Sequence, residues 1–205
     1  MKKVLGLDAS STTIGIALIQ YDDVSSKLVY STYYKPPKKG TVFERMSQVR
    51  SFIQEIIDQL KPDDVALEDI VLYMNPKGHA ASTAKTITTL AVLNRTVGTA
   101  VFDKTQKSPY LYNAMRIRHA IKLDNTLPAK KDIPELVAQI LEIKFPYIQD
   151  SKGKLKTNRK GEIVKENEDI ADAIACAICH VLMDRKNLAD KLQIKKKKKR
   201  KKKKS

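Results

Sequence analysis

The sequence predicts an α/β domain in which helices flank a mixed five-stranded sheet, with three antiparallel strands first and parallel strands after them. Three segments with the pattern of strands follow one another at residues 3–8, 12–20 and 27–34, joined by short polar turns, and the second and third are rich in Ile, Val, Thr and Tyr. Connections this short suit antiparallel strands. From residue 41 the apolar residues recur at helical spacing instead, so a helical crossover precedes the next strand at residues 65–68. This order places the fourth strand parallel to the first.

The ends of the helices carry their own signals. Thr41 and Glu44 have the spacing of a capping box, and Pro62 follows the last apolar position of the first helix. Asn167 is predicted to cap the last helix, which we expect to end near Leu188. The other predicted elements are a helix at 81–101, a strand at 110–113, helices at 115–121 and 132–143, and a loop or loose hairpin at 150–165.

Charge divides the chain into a body and a tail. Of the formal net charge of +16, ten charges come from the unbroken basic run 195–204, and the body keeps the other six. We predict one folded domain at residues 1–190 and a disordered Lys-rich tail at residues 191–205, because like charges repel and the tail has nothing apolar to bury. The basic body indicates a polyanionic partner. The tail is compatible with nonspecific binding of polyanions and with nuclear import alike.

No segment predicts secretion or a membrane partner. Only a few apolar residues separate Lys3 from Asp8, too few for a signal peptide, and no apolar run approaches the ~20 residues of a membrane span. Cys176 and Cys179 lie inside an apolar helical run without a second pair, so we predict core residues rather than zinc ligands. The expected location is intracellular: cytoplasm or nucleoid, or the nucleus or a viral factory in a eukaryotic host.

Four carboxylates have the positions of a candidate metal site. Asp8 and Glu68 end two predicted parallel strands, so their side chains should meet at one edge of the sheet. Asp169 and Asp172 lie one helical step apart on the last helix. An all-oxygen site suits Mg²⁺ or Mn²⁺, and such ions activate water against a phosphodiester. Ordinary acids at strand ends and on a helix surface are the alternative interpretation.

The same segments resemble motifs of the RuvC-type Holliday-junction resolvases, a family of the RNase H-like nuclease superfamily. Gly-Leu-Asp-Ala-Ser at residues 6–10 and Thr-Ile-Gly-Ile-Ala at residues 13–17 are similar to the family's first strand, turn and second strand. Val-Ala-Leu-Glu at residues 65–68 is similar to its second acidic motif, and Asp-Ile-Ala-Asp-Ala at residues 169–173 to its C-terminal motif. The resemblance extends over roughly residues 3–185.

The resemblance implies a structure-selective endonuclease that resolves four-way DNA junctions by paired, metal-dependent phosphodiester hydrolysis. It implies two Mg²⁺ or Mn²⁺ ions per active site, with Asp8 bridging them, Glu68 on one, and Asp172, helped by Asp169, on the other. It also implies a homodimer, which matches the two-fold symmetry of a junction that needs paired nicks. The helix at 81–101 is the candidate dimer interface, or else part of the core.

The resemblance also suggests residues that contact DNA. Tyr73 would stack on an unpaired base at the crossover. Lys130 or Lys131 would neutralise the scissile phosphate, and we predict Lys131 as the catalytic lysine; a solvated helix start is the alternative. The predicted DNA-binding residues are Tyr73, Lys77, Arg116, Arg118, His119, Lys130 and Lys131.

Three other functions are compatible with the sequence. The nuclease could act on other branched DNA or on RNA–DNA hybrids, or the chain could bind DNA without cutting it. Residues 8–17 are also similar to the first phosphate loop of sugar kinases and actin-like ATPases. Those phosphotransferases need a second, similar domain, for which this body is too short.

Overall fold

The structure is a computed structural model that describes residues 1–10, 12–70 and 84–202, without the side chains of residue 85 and residues 188–202. Five strands form a single sheet: β1 (Lys2–Ala9), β2 (Ile14–Tyr21), β3 (Ser26–Tyr34), β4 (Asp64–Asp69) and β5 (Tyr110–Asn113). Their order across the sheet is β3–β2–β1–β4–β5. The first three strands pair antiparallel, and β4 is parallel to both β1 and β5. The predicted mixed sheet is therefore confirmed.

Helices cover both faces of the sheet. They are α1 (Val42–Leu60), α2 (Ala84–Thr105), α3 (Ala114–Ile121), α4 (Ile133–Ile140) and α5 (Glu166–Lys202), with a 3-10 turn at Lys130–Asp132 before α4. Apolar side chains of α1 and α2 pack on one face, and those of α3, α4 and α5 pack on the other. Cys176 and Cys179 are free, buried thiols of α5, as predicted for core residues.

Local signals set the start of α1, and the first turn has the predicted capping box. The Thr41 side chain accepts a hydrogen bond from the Glu44 amide, and the Glu44 carboxylate accepts one from the Thr41 amide. The helix ends where Lys61 takes a left-handed conformation with φ of 49°. Within the described residues, no helix combines the length and the apolar character needed to cross a membrane.

Three helix boundaries differ from the prediction. The helix α2 continues to Thr105 rather than ending near residue 101. The helix α4 ends at Ile140 rather than near residue 143, because Glu142 adopts a positive φ of 54° and reverses the chain. The backbone of α5 remains helical to Lys202 instead of ending near Leu188. Lysine is a good helix former, so a helix begun by buried residues can continue into a lysine run. The division into a folded domain and a basic tail stays a prediction.

The cap predicted for the last helix is also wrong. Asn167 lies inside α5 and is buried, with 2% of its surface exposed. Its side-chain oxygen accepts a hydrogen bond from the Ile148 amide at 2.9 Å, and its amide nitrogen donates to the Val164 carbonyl. Asn167 therefore fixes the segment that enters α5, a long-range role that the sequence spacing alone does not show.

Candidate active site

The parallel pairing of β1 and β4 brings two carboxylates to the same edge of the sheet. Leu7 pairs with Leu67, so the next residues, Asp8 and Glu68, continue that register at the ends of the two strands. Successive side chains of a strand alternate between faces. Leu7 and Leu67 belong to the core under α1 and α2, and Asp8 and Glu68 consequently point to the face covered by α5.

The approach of α5 to the sheet depends on two glycines. A Cβ atom at Gly6 would lie 2.2 Å from the Ala173 carbonyl oxygen, and one at Gly15 would lie 1.9 Å from the Asp169 carbonyl oxygen. Any side chain at either position would push the helix away. The two glycines thus let Asp169 and the rest of its helical turn come close to the acids of the sheet edge.

All four predicted carboxylates line one pocket of about 260 Å³. Asp8 and Glu68 contribute from the sheet, and Asp169 and Asp172 contribute from α5. A larger pocket of about 340 Å³ contains none of these acids and lies between the β2–β3 turn, the end of α4 and α5. The chemistry of the chain is therefore concentrated in the smaller pocket. Its remaining lining residues are Ala9, Ser10, Asp69, Ile70, Leu90, Ala114, Lys130 and Lys165.

Burial and mutual repulsion make these carboxylates unusually basic. Burial raises the pKa of Asp8 well above its ordinary value, and the charges of Glu68 and Asp172 raise it further. Burial, followed by repulsion from Asp172, raises the pKa of Glu68 to about 7. Burial also raises the pKa of Asp169 to about 6, although Lys130 opposes this shift. Such a cluster is stabilised by any cation that enters the pocket.

One lysine of the predicted pair reaches the acids. The Lys130 ammonium nitrogen lies 3.4 Å from a carboxylate oxygen of Asp172 and 3.6 Å from one of Glu168. Lys131 is exposed and does not line the pocket. For the role of neutralising a phosphate, the geometry favours Lys130 over Lys131, whose catalytic role stays a prediction.

The donor set fits a hard divalent cation by its chemistry and charge. Carboxylate oxygens are the ligands that Mg²⁺ and Mn²⁺ prefer, and two such charges would offset the repulsion between the buried acids. Among the described residues, however, no group of three or more His, Cys, Asp or Glu side chains is already arranged to hold an ion. The pocket therefore contains suitable ligand residues, but their side chains would have to move closer together to bind an ion.

The predicted DNA contacts have different surroundings. Arg118 is half-buried near the pocket, where its charge lowers the pKa of both Glu68 and Asp172. Arg116 and His119 are exposed on α3, and the Arg116 guanidinium lies 5.6 Å from the centre of the Tyr112 ring. The predictions for Tyr73 and Lys77 fall outside the described residues.

Three residues that sequence analysis did not select support the site. Thr13 is buried and its side chain hydrogen-bonds to Asp169, which opposes the rise that burial causes in the pKa of that acid. Asn94 of α2 is 1% exposed and donates to the Glu68 carbonyl oxygen at 2.8 Å, fixing the end of β4. Lys165 lines the pocket beside Asp169. The available signal for Asn94 was its position beside Leu93 and three residues before Val97, on the buried side of α2.

Comparisons with known proteins agree with this arrangement. The family model "Crossover junction endodeoxyribonuclease RuvC" matches residues 4–151. A relative of that name from Finegoldia magna is 25% identical over 180 residues, which cover 87% of this chain and 92% of the relative. The sequence similarity therefore extends over nearly the full length of both proteins.

Solved structures show the same fold. The complex of T. thermophilus RuvC with a Holliday junction substrate superposes with a TM-score of 0.64 at 18% identity, covering 90% of this chain and 96% of that one. The yeast mitochondrial Holliday junction resolvase gives a TM-score of 0.57 at 14% identity, covering 87% and 77%. Because the family model spans well over half of the sequence, the chain belongs to the RuvC family of crossover junction endodeoxyribonucleases.

Proposed function

We propose that this protein resolves four-way DNA junctions by paired, metal-dependent hydrolysis of phosphodiester bonds at the four-carboxylate pocket. The observation that carries the proposal is the convergence of Asp8, Glu68, Asp169 and Asp172 on that pocket in a chain of the RuvC family. A nuclease acting on duplex DNA or on RNA–DNA hybrids would use the same chemistry. The proposed reaction is therefore inferred from the pocket, and the proposed substrate is inferred from membership of the family.

The pocket residues have distinct tasks in this reaction. Two Mg²⁺ or Mn²⁺ ions, when bound, would supply the charge that activates water and stabilises the phosphate. Asp8 and Glu68 would hold them from the sheet, and Asp169 and Asp172 would hold them from α5. Lys130 would donate to a phosphate oxygen, since its ammonium already lies beside Asp172. Thr13 would hold the Asp169 carboxylate in place, and Asn94 would hold the backbone at Glu68.

The direct test of the function compares labelled DNA substrates. A four-way junction, a linear duplex and an RNA–DNA hybrid are incubated with the full chain and Mg²⁺, and each reaction is repeated with EDTA. We expect symmetric nicks near the branch point of the junction and none with EDTA. Cleavage confined to the RNA–DNA hybrid would show that the hybrid, and not the junction, is the substrate. Binding of the junction without cleavage would indicate a DNA-binding protein.

A homodimer belongs to the same proposal, since paired nicks need two active sites related by a two-fold axis. On α2, Leu93 is 1% exposed and packs in the core, so it is not available to a partner. Val92 and Phe102 are 40% and 47% exposed on the same helix and offer apolar surface instead. Light scattering should give twice the chain mass. We place the dimer inside the cell, with its DNA.

The two lysines can be separated by matched substitutions. Lys130→Met should lower the cleavage rate at saturating junction by about 10²-fold, because a positive donor beside the scissile phosphate is lost. Lys131→Met should change this rate little, since that side chain is exposed and outside the pocket. Single-turnover cleavage measures both. A large loss for Lys131→Met alone would restore Lys131 as the catalytic lysine.

The raised pKa values predict how pH and metal act on stability. Glu68 and Asp169 have pKa values of about 7 and about 6 in the folded protein, against ordinary values of 4.5 and 3.8. Between those limits the folded state binds more protons than the unfolded state, so the metal-free protein should lose stability as pH rises from about 4 to about 7. Mg²⁺ binds the deprotonated acids and should therefore stabilise most above pH 7.

Thermal unfolding with EDTA or Mg²⁺ across this pH range measures the effect. We expect Tm in EDTA to fall with rising pH and Mg²⁺ to restore it. In Glu68→Gln, whose side chain cannot ionise, the metal-free decline should be smaller. An identical pH profile in this variant would show that the decline arises from other groups.

A further inference from the structure

We propose that the segment 151–165, named here the basic double turn, binds the sugar–phosphate backbone of a junction arm outside the active site. This inference rests on the proposed function, because it takes branched DNA as the substrate. Outside the lysine run the chain has a net charge of +6, and five of these charges lie in this segment, with six basic residues against one acid. Most of the net positive charge outside the lysine run therefore lies in this segment.

The segment has a defined shape made of two similar turns. Asp-Ser-Lys-Gly-Lys-Leu at residues 150–155 is followed by Asn-Arg-Lys-Gly-Glu-Ile at residues 158–163, an eight-residue repeat of the same pattern. In the first turn, Asp150 accepts hydrogen bonds from the amides of residues 152 and 154. In the second, Asn158 accepts them from the amides of residues 160 and 162. Glycine allows the left-handed φ values of 72° and 79° at Gly153 and Gly161.

The two turns present cations that the protein does not use itself. Each has a lysine at the same position, Lys152 and Lys160, and both are exposed. Across the described part of the chain, the ion pairs within 4 Å do not include Lys152, Lys154, Arg159 or Lys160. The one acid, Glu162, accepts a hydrogen bond from the Asn158 side chain. These four cations are therefore available to phosphates.

The position of the segment connects it to the active site. It leads directly into α5, where its last residue, Lys165, lines the carboxylate pocket. Lys156 lies near enough to Glu166 to lower the pKa of that acid, and Glu166 also forms an ion pair with Lys35. A DNA strand that leaves the pocket past Lys165 would meet a row of cations. Backbone contacts of this kind fix register and orientation without reading sequence.

The chemistry of the basic double turn indicates the class of its partner. The exposed cations of this segment and the defined geometry of its turns suit duplex DNA, whose phosphates are evenly spaced along the helix. Because the segment has six basic residues and one acid, it would repel a positively charged partner.

The test neutralises the four free cations and compares a matched variant at the other end of the sheet. Both variants lose four positive charges, and they differ only in where on the protein those charges lie. The test variant is Lys152→Gln, Lys154→Gln, Arg159→Gln and Lys160→Gln, and the control is Lys3→Gln, Lys27→Gln, Lys61→Gln and Lys186→Gln. Junction binding is measured against salt for the full chain in the Asp8→Asn background, and cleavage is measured with Asp8 intact.

The test variant should bind junction with a slope of log K against log salt that is shallower by about 3 to 4, since each lost phosphate contact removes about 0.9. Its cleavage rate at saturating junction should equal that of the unaltered chain. Shortening the junction arms should weaken binding by the unaltered chain and by the control but not by the test variant.

Other outcomes overturn the inference in recognisable ways. Equal slopes for test and control variants would show that the segment does not contact DNA, while continued junction cleavage by both would leave the proposed function standing. A lower saturated rate with an unchanged slope would mean that the segment only supports α5. Loss of binding to single-stranded RNA but not to junction would assign the surface to RNA. Failure of the unaltered chain to cut junctions would overturn the proposed function itself.

Discussion

Replacing Asp8 by asparagine should abolish junction cleavage, with a loss of about 10³-fold or more, and leave junction binding intact. Asparagine keeps the size of the side chain but removes a charge that would help to hold the two cations. A loss at the upper end of the range for a single electrostatic group is expected, because Asp8 is largely buried and the charges of Glu68, Asp172 and Asp169 all act on it. Cleavage and binding of the same labelled junction measure both effects.

The same substitution should have the opposite effect on stability. Without metal, the buried charge of Asp8 is repelled by Glu68 and Asp172, so Asp8→Asn should raise Tm in EDTA. Mg²⁺ should raise Tm of the unaltered chain more than that of the variant. Asp103→Asn is a suitable control, since Asp103 forms a surface ion pair with Arg50, and exposed pairs contribute little. A variant that still cuts junctions would exclude Asp8 from the reaction.

Gly15→Ala should destabilise the fold by about 2 to 3 kcal/mol and reduce cleavage at the same time. The added Cβ would meet the Asp169 carbonyl oxygen at 1.9 Å, a backbone atom that cannot rotate away. Relief requires α5 to move off the sheet, and this movement would carry Asp169 and Asp172 away from Asp8. Urea unfolding and single-turnover cleavage under conditions where the variant stays folded would measure the two effects.

Gly98→Ala provides the matched control within α2. Its Cβ would meet its nearest neighbours at 3.8 and 3.9 Å, which is ordinary contact. Alanine is the better helix former by about 1 kcal/mol, so this variant should be as stable as the unaltered chain or more stable. If Gly15→Ala and Gly98→Ala have the same free energy of unfolding, the packing of α5 on the sheet does not require a glycine at residue 15.

The structural features that could be predicted from the sequence are those determined by residues close together in the chain. The capping box of Thr41 and Glu44, the turns between the first strands and the alternation that aims Glu68 at α5 all act within a few residues. The meeting of Asp8 and Glu68 followed from one further rule, that parallel strands share their carboxyl ends.

What the sequence did not predict depends on contacts between distant segments. Asn167 has the composition of a cap, yet its partner is the Ile148 amide, 19 residues earlier. Lys130 and Lys131 are equivalent in sequence, and only the direction of the 3-10 turn decides which one meets Asp172. Likewise, the closeness of α5 to Gly15 arises from packing of the whole layer, for which no local pattern exists.

The four acids come from β1, β4 and α5, separated by as many as 164 positions along the chain. A ribosome delivers α5 only after both strands. An emerging polypeptide therefore has isolated acids and no assembled centre, and it is harmless to nearby genomes until α5 docks on the sheet.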